Sequence, residues 1–325
     1  RTGFYNVGQM TTAANPAAAM EYNYDNEGRL ASQAWIVDSV TYTTTQAFDT
    51  GGRLLWRQLP DGDSVGSSGN PLLYDSAGRL KTVPGLVSAI LYNARSQETS
   101  LTRANGAVTT STYSAQRGWL LSLQTVANST TIQSLTYSRG ANGRIDGVSS
   151  IAAGENWTYG YDDLDRLTGA DNADDDLLDQ TFAYDRVGNM TSNSAVGTYT
   201  YPAPGNPRPH AVTAAGGNAY GYDANGNMTS AAGDTLAYDG ENRLVSVNAV
   251  QFVYGPDGER LKKIANGTTT LYLGSDIEIT GGVYTKYLPG DAKRIGSTTY
   301  WLHRDHLASV RLETDSTGAV VQQSN

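Results

Sequence analysis

His303, Arg304, Asp305 and His306 are the residues of this sequence whose types and spacing most suggest chemistry. Two imidazoles and a carboxylate could bind zinc, and the order His-Arg-Asp also occurs in the catalytic loop of protein kinases. A kinase further needs a glycine-rich loop, a paired strand lysine and an Asp-Phe-Gly motif, none of which accompanies this segment. Adjacent residues of a strand point to opposite faces, so a strand here would separate the zinc ligands. We therefore expect a structural role.

An acidic run forms a second candidate, with a superficial likeness to a calcium loop. It contains Asp171, Asp174, Asp175, Asp176 and Asp179. The run lacks the glycine and the alternating ligand spacing of an EF-hand loop. Runs of like charge are more often solvated loops than sites. We expect a solvated loop here, with at most one helical turn between Asp174 and Gln180.

One short phrase recurs along the whole chain: an aromatic residue, usually Asp next, a turn, then Arg or Asn and an aliphatic residue. A unit repeated in this way predicts a stacked architecture in which no single unit folds alone. The eleven copies start at Tyr24, Phe48, Tyr74, Tyr92, Tyr113, Tyr137, Tyr161, Tyr184, Tyr222, Tyr238 and Tyr254.

The polar residues of the phrase predict a turn. An Asp carboxylate accepts hydrogen bonds from backbone N–H groups two residues on, and Gly takes a positive φ without a Cβ clash. Because the Asp residues recur at the same point of a turn, we expect capping and not paired-carboxylate catalysis, which needs a special environment. The predicted turn residues are Asp25, Gly28, Asp75, Gly78, Asp162, Asp185, Gly188, Asp223, Gly226 and Asp239.

Side-chain alternation around each aromatic predicts β-hairpins with half-buried strands. The residue two positions before the aromatic is mostly large and apolar, whereas the residue between them is mostly small. One face of the sheet therefore carries large side chains, and the other carries small or polar ones. We expect the tyrosines to pack in a core, with stacking on sugar rings as the alternative. The long interval from Tyr184 to Tyr222 contains YPAPGNPRPHAV from Tyr201, which predicts a loop between hairpins because proline disfavours central strands.

Composition excludes several classes of function. The chain has 325 residues, a net charge of −9 and no cysteine. The acidic balance argues against a nucleic-acid groove, and the absence of cysteine excludes disulfides, thiolate zinc sites and a cysteine nucleophile. No apolar run reaches the roughly 20 residues that span a bilayer, and the N-terminus has no apolar signal core. The sequence begins and ends within its pattern, which indicates a piece of a longer polypeptide.

The repeated phrase resembles the YD repeat of bacterial Rhs proteins, toxin-complex C components and the teneurin shell. In the last third, HAV from His210, YDANGNMTS from Tyr222, LAYDGENRLVSV from Leu236, YGPDGERLKK from Tyr254 and YWLHRDHLASVRLETDSTGAVV from Tyr300 follow the family order. The last stretch is similar to the Rhs core signature, and we assign to it His303, Asp305, His306 and Arg311. That signature normally has Gly where this chain has Ala308, which leaves a tight turn open to question.

The resemblance implies an all-β protein in which tandem β-hairpins form a long sheet coiled into a hollow, barrel-like shell. Residues 1–299 would be the YD-repeat shell, and residues 300–325 the core signature that continues it. In polymorphic toxins of this kind, a DPxG-like cleavage site and a variable C-terminal toxin follow the signature. Neither occurs before residue 325.

The function implied is a non-enzymatic, cofactor-free shell that encloses a C-terminal toxin and helps to deliver it in bacterial competition or virulence. Expected partners are the toxin itself, flanking shell or plug segments, and a secretion apparatus or cell-surface receptor. Nucleic acid and a membrane span are not expected, and the location would be secreted or at the cell surface. The alternative is a cell-surface adhesin that binds a carbohydrate or a receptor; an intrinsic hydrolase would need a convergent catalytic group that we do not find.

Overall fold

The computed structural model describes residues 6–323, and β-strands make up the regular structure of this part of the chain apart from one 3-10 turn at Asp176–Leu178. The predicted all-β class is therefore confirmed, and the single helical turn lies inside the acidic run. The predicted ranges 1–299 and 300–325 extend beyond the described residues by five residues at the start and two at the end.

The strands are short and numerous. The first sixteen are β1 Thr12–Asn15, β2 Ala18–Tyr24, β3 Leu30–Val37, β4 Val40–Phe48, β5 Leu54–Gln58, β6 Ser64–Val65, β7 Leu73–Tyr74, β8 Leu80–Thr82, β9 Val87–Tyr92, β10 Glu98–Arg103, β11 Val108–Tyr113, β12 Leu120–Ala127, β13 Thr130–Arg139, β14 Ile145–Ser150, β15 Trp157–Tyr161 and β16 Leu167–Asn172. The others are β17 Gln180–Tyr184, β18 Met190–Asn193, β19 Gly197–Thr200, β20 Ala214–Ala215, β21 Asn218–Tyr222, β22 Met228–Ala231, β23 Asp234–Tyr238, β24 Leu244–Val247, β25 Val250–Tyr254, β26 Arg260–Ala265, β27 Thr268–Tyr272, β28 Ile277–Thr280, β29 Val283–Leu288, β30 Ala292–Ile295, β31 Thr298–Arg304, β32 Val310–Thr314 and β33 Val320–Gln323.

The chain divides into two compact units. Unit 1 comprises Arg1–Ser111, Gln124–Ile132 and Phe252–Asn325, and unit 2 comprises Thr112–Leu123 and Gln133–Gln251. The sequence-based boundary between residues 299 and 300 falls inside strand β31 of unit 1.

Unit 1 contains several runs of antiparallel strands that pair in sequence order. They are the six-stranded sheet β1–β6, the hairpin β7–β8, the run β9–β11 and the run β26–β33. Buried side chains from the N-terminal sheet, such as Met20 and Trp35, join buried side chains from the C-terminal strands, such as Ile277 and Trp301, in one hydrophobic cluster. The core of unit 1 is thus built between chain segments that are far apart in sequence.

Polar contacts join the same two parts of unit 1. Lys286 is 1% exposed, and its Nζ lies 2.6 Å from an Asp61 carboxylate oxygen and 2.8 Å from one of Asp63. The indole N–H of Trp301 donates to the Leu86 carbonyl at 2.9 Å. Because Trp301 and the two residues that follow it are all buried, strand β31 is covered on both faces. Strand β31 contains none of the eleven repeat aromatics, so the half-buried pattern predicted for the repeat strands does not extend to it.

Unit 2 pairs strands β13–β24 antiparallel in sequence order. Strands β15, β17–β19 and β21–β24 contain no fully buried residue; along β15 and β17, half-buried large side chains alternate with exposed small ones. The alternation is the predicted one, but no second layer of protein covers the face that carries the large side chains. Unit 2 is a single sheet layer along these strands.

A β-bulge lies at the aromatic residue of most repeats. The pairing register shifts between Asn23 and Tyr24, and again between Ala183 and Tyr184. Such a bulge accompanies a type I turn whose last residue is left-handed, and it strengthens the local twist of the strands. The repeat therefore encodes a twisted hairpin, a feature that the sequence pattern did not reveal.

Candidate functional site

The repeat corner is built around one Asp carboxylate. In the first repeat, Oδ1 of Asp25 accepts hydrogen bonds from the backbone N–H groups of Glu27 and Arg29 at 3.0 and 2.9 Å. Oδ2 accepts from Nε of Arg29 at 2.7 Å. Gly28 completes the turn with a φ of +76°. The Arg of the phrase thus closes its own corner by binding the Asp four residues earlier.

The same contacts recur at the other sequence-predicted corners. Asp75, Asp162 and Asp239 bind the Arg four residues later, and Asp185 and Asp223 bind the Asn at that position. Gly78, Gly188 and Gly226 have φ of +80°, +93° and +93°. The repeats from Tyr161 and Tyr238 use Asp165 and Asn242 instead, with φ of +62° and +60°.

These hydrogen bonds keep the corner carboxylates ionised. At Asp75 the side-chain hydrogen bond from Arg79, reinforced by the backbone N–H of the same residue, holds the pKa below its usual range. The side-chain hydrogen bond from Arg166 does the same to the pKa of Asp162. An ionised carboxylate with its oxygens occupied cannot act as a general acid, because it carries no proton. The corners are structural in their chemistry.

The corner residues Arg29, Arg53, Arg79 and Arg166 also bind the next repeat. The guanidinium carbon of Arg166 lies 4.7 Å from the ring centroid of Tyr184, and its Nη1 donates to the Asp185 carbonyl at 3.0 Å. In the opposite direction, the Tyr184 hydroxyl donates to the Leu167 carbonyl at 2.8 Å. We call this set of three contacts the repeat clamp. Strand register brings its residues together, and the sequence pattern did not predict it.

The clamp occurs, whole or in part, along both units. Guanidinium groups lie over the following aromatic ring in the pairs Arg29–Phe48, Arg53–Tyr74, Arg79–Tyr92 and Arg144–Tyr161. Hydroxyl groups donate to a backbone carbonyl 10–20 residues earlier in the pairs Tyr24–Met10, Tyr74–Leu54, Tyr92–Leu80, Tyr161–Ile145, Tyr201–Met190 and Tyr222–Val212.

The proline-rich segment between Tyr184 and Tyr222 contains an additional clamp aromatic. The Tyr201 hydroxyl donates a hydrogen bond to the Met190 carbonyl, as the hydroxyl of a repeat tyrosine does, although Pro202 follows Tyr201 in place of Asp. Asn189 replaces the clamp Arg, and its side chain reaches the Pro209 carbonyl at 3.2 Å and His210 Nδ1 at 2.7 Å. The segment is therefore attached to the neighbouring corner. The sequence analysis did not identify Tyr201 as a repeat aromatic, because the Asp that follows the other aromatics is missing.

The core-signature segment also forms a repeat corner. Oδ1 of Asp305 accepts from the backbone N–H groups of Leu307 and Ser309 at 2.9 and 3.0 Å, and Ala308 has a φ of +63°. The replacement of Gly by Ala308 had left this tight turn in question. The turn is present, and Ala308 adopts the left-handed conformation although it is not glycine. Asp305 and His306 lie in this turn and not in a strand, which corrects the reason given for separating the zinc ligands. His306 is exposed, whereas Arg311 is half-buried in β32.

His303 lies apart from the turn, on β31, and is only 1% exposed. Its Nε2 is 2.9 Å from the Thr314 hydroxyl. Burial, followed by the nearby positive charge of Arg103, lowers the pKa of His303 to about 3, so the imidazole is neutral at ordinary pH. No group of three His, Cys, Asp or Glu side chains within residues 6–323 is arranged to hold a metal ion.

Arg103 is a buried residue that the sequence analysis missed. It is 3% exposed, and it donates to the Thr109 hydroxyl at 2.7 Å and to the Leu302 carbonyl at 3.1 Å. Burial lowers the pKa of its guanidinium to about 10, which still leaves it charged at neutral pH. A single Arg in a loose copy of the repeat offers no sequence signal for this position.

The acidic run is exposed to solvent, and some of its carboxylates also accept hydrogen bonds. Asp174 accepts hydrogen bonds from the backbone N–H of Gly154 at 2.9 Å and from the side chain of Asn156 at 2.8 Å. Asp175 caps the 3-10 turn by accepting from the Leu177 N–H at 3.0 Å. All five Asp residues of the run are exposed to solvent, as expected, and Asp174 in addition links this loop to the loop of Gly154 and Asn156.

The chain is similar to a protein-family model and to several solved structures. Residues 63–324 match the family model described as Teneurin YD-shell. Comparison with curated proteins gives no match. None of the helical structure within residues 6–323 has the length and apolar character needed to span a membrane.

Several solved structures share the fold. A crystal structure of TcdB2-TccC3 has 18% sequence identity and a TM-score of 0.78, over 97% of this chain and 21% of that chain. The Tc holotoxin pore of Photorhabdus luminescens has 18% identity and a TM-score of 0.75, over 97% of this chain and 20% of that chain. A crystal structure named TcdB2-TccC3-Cdc42 has 18% identity and a TM-score of 0.77, over 97% of this chain and 20% of that chain. The chain spans about a fifth of the length of these structures.

Proposed function

Because this chain belongs to the Teneurin YD-shell family, we propose that it forms part of a shell wall that encloses a C-terminal toxin and helps to deliver it. One of the solved structures with the same fold is named as a holotoxin pore, which supports a toxin as the cargo. Delivery would serve bacterial competition or virulence.

The single-layered sheet of unit 2 is the observation that carries the proposal. Along β15, β17–β19 and β21–β24, the face with large side chains is only half-buried. A soluble globular domain normally covers such a face with a second layer. A face left open along many strands suits an enclosure, where the second layer is the cargo. The tyrosines of this face combine an apolar ring with a polar hydroxyl, so they can contact cargo proteins of many different sequences.

The repeat clamp suits a wall because it ties each hairpin to the next through side chains as well as through the backbone. The corner carboxylates are ionised and occupied, so we propose no intrinsic enzymatic activity for this chain. The proposed partners are the toxin, flanking shell or plug segments, and a secretion apparatus or cell-surface receptor. The proposed location is secreted or at the cell surface. The division into residues 1–299 and 300–325 belongs to the same proposal.

The test uses the complete gene product. Electron cryo-microscopy should show a hollow particle with density inside it, and limited proteolysis should leave the enclosed segment intact until the shell is opened by urea. A solid particle or an open solenoid would contradict enclosure. The adhesin alternative predicts the opposite pattern, in which a glycan or receptor binds the intact protein and no protected segment is found.

A further inference from the structure

Arg103 is buried, and its guanidinium has no carboxylate in direct contact among the described residues. Its guanidinium is nearly inaccessible, at 3% exposure, and its two hydrogen-bond acceptors, the Thr109 hydroxyl and the Leu302 carbonyl, are both neutral. Among the described residues no carboxylate oxygen forms an ion pair with it, although Asp291 and Glu98 act on it electrostatically from farther away. Its Nε–H is buried and has no acceptor.

His303 supplies a second orphaned atom beside this guanidinium. Nδ1 of His303 is buried and has no hydrogen-bond partner. The two side chains are neighbours, because Arg103 binds the carbonyl of Leu302, which directly precedes His303, and its charge acts on the imidazole. Both orphaned atoms therefore belong to one buried polar cluster of unit 1.

The hydrogen-bond network is compatible with a proton on Nδ1 of His303. Asn105 Nδ2 donates to the Thr314 hydroxyl oxygen at 2.9 Å, and its orientation is set because Oδ1 accepts from the Ala107 N–H. The Thr314 hydroxyl has one proton and a second lone pair, so it can donate that proton to His303 Nε2 at 2.9 Å or accept a proton from it. A neutral imidazole whose Nε2 accepts carries its proton on Nδ1. With the proton on Nδ1, the tautomer that a bound anion would favour, the cluster offers two unused donors, Arg103 Nε–H and His303 Nδ1–H.

We propose that Arg103 and His303 bind a small monovalent anion of the halide class inside unit 1. A buried charge without a direct counter-ion costs several kcal/mol, and buried ions are normally paired. A water molecule could satisfy the two donors, but it would place no negative charge in contact with the guanidinium. A halide ion satisfies both donors and balances a single positive charge. It would be enclosed when unit 1 folds, since both side chains are almost fully buried.

The first measurement is the stability of the full chain in urea at constant ionic strength, with sodium chloride exchanged for sodium gluconate. Urea is required because guanidinium chloride would itself supply the halide. A ligand that binds only the folded state stabilises it in proportion to the logarithm of its concentration above saturation. We expect stability to rise by about 1.4 kcal/mol for each tenfold increase in chloride above the dissociation constant, which is the tenfold factor expressed as free energy.

Two variants separate this site from general salt effects. Arg103→Met should abolish the chloride dependence, whereas Arg53→Met, which removes a partly exposed corner arginine, should leave it intact. If Arg103→Met does not fold, His303→Phe removes one donor and should weaken the chloride dependence. Halide dependence that persists unchanged in the Arg103 or His303 variant would overturn the proposal.

Crystals grown in sodium bromide provide a direct readout. An anomalous difference peak within hydrogen-bonding distance of Arg103 Nε and His303 Nδ1 is the expected result. A peak in ordinary density without anomalous signal would identify an ordered water molecule only. That outcome, together with stability independent of chloride, would refute anion binding.

Discussion

The guanidinium of Arg166 covers the ring of Tyr184, while the hydroxyl of Tyr184 binds the carbonyl of Leu167, the residue next to Arg166. Two consecutive repeats therefore hold each other in both directions. Arg166 also binds Asp162 of its own corner, so one side chain closes a turn and joins it to the next. The repeat phrase thus specifies contacts between hairpins as well as the hairpin itself.

We expect Arg166→Met and Tyr184→Leu to be coupled in a double-mutant cycle on urea unfolding. The coupling energy should be about 0.5–1 kcal/mol, as for partly exposed cation–π pairs. The matched control combines Arg166→Met with Tyr238→Leu, which belongs to a later repeat and should be additive within about 0.5 kcal/mol. Additivity of the Arg166 and Tyr184 changes would contradict the clamp.

Ala308→Gly should stabilise the protein. Ala308 has a φ of +63°, and a left-handed residue with a Cβ costs about 1–2 kcal/mol, of which the greater freedom of glycine in the unfolded chain offsets part. We expect a net gain of roughly 0.5–1 kcal/mol in urea unfolding. Gly226→Ala is the reverse change at a matching corner, where the nearest atom to an added Cβ is Arg208 Nε at 3.7 Å, and it should destabilise. A change in unfolding free energy of the same sign for both variants would refute this account.

Gly290→Ala and Gly258→Ala should differ sharply although their backbones match. Both glycines have positive φ, +83° and +81°. A Cβ on Gly258 meets no atom within 4 Å, whereas one on Gly290 would overlap Cγ2 of Val87. We expect a loss of about 1 kcal/mol for Gly258→Ala and a further 1–3 kcal/mol for Gly290→Ala, measured by thermal and urea unfolding. Val87→Ala, combined with Gly290→Ala, should recover part of the extra loss of stability. If no stability is recovered, the extra loss does not come from the contact with Val87.

Stability should fall as the pH drops below about 6.5, because of His303. The unfolded chain binds a proton on this residue near its ordinary pKa of 6.5, whereas the folded protein does so only near pH 3. Across that window the unfolded state binds more protons, which costs up to about 1.4 kcal/mol of stability per pH unit. Urea unfolding between pH 4.5 and 7.5 should show this slope and lose most of it in His303→Gln. His210→Gln, at an exposed histidine, should retain the slope.

Asp175→Asn should change stability by less than about 0.5 kcal/mol, because an amide oxygen can still accept from the Leu177 N–H. Asp174→Ala removes the acceptor for Gly154 and Asn156 and should cost about 1 kcal/mol or more. Thermal unfolding with and without added calcium measures both. A calcium-dependent rise in the melting temperature that Asp175→Asn abolishes would show that the run holds a cation.

Much of the local structure could be predicted because its causes lie within a few residues. Asp25 and Gly28 form their turn through contacts inside the phrase, and the alternation around Tyr159 and Tyr184 follows from strand geometry alone. The contact of the phrase Arg with the next repeat was not predicted, because that partner lies about 20 residues away and depends on strand register, unlike the Asp four residues earlier. Tyr201 was missed for the opposite reason: its contact is that of a repeat aromatic, but its neighbours in sequence are not.

The candidate sites divide in the same way. The sequence predicted that the segment from His303 to His306 is structural, and the hydrogen bonds of Asp305 explain part of that role. It did not predict that His303 lies beside a buried Arg103, because the two residues come from strands nearly 200 positions apart and no motif links them.

The sequence by itself determined the hairpin: the order of aromatic, Asp and turn residue sets corner chemistry and strand alternation through contacts only a few residues long. Tertiary structure alone decided which faces are covered. In unit 1, Lys286 meets Asp61 and Trp301 meets Leu86 across more than 200 residues, so two layers pack and the core closes. In unit 2 the same alternation leaves its large face half-exposed. Burial depends on what packs against a strand, and a repeat that is nearly the same in both units carries no information about its neighbour.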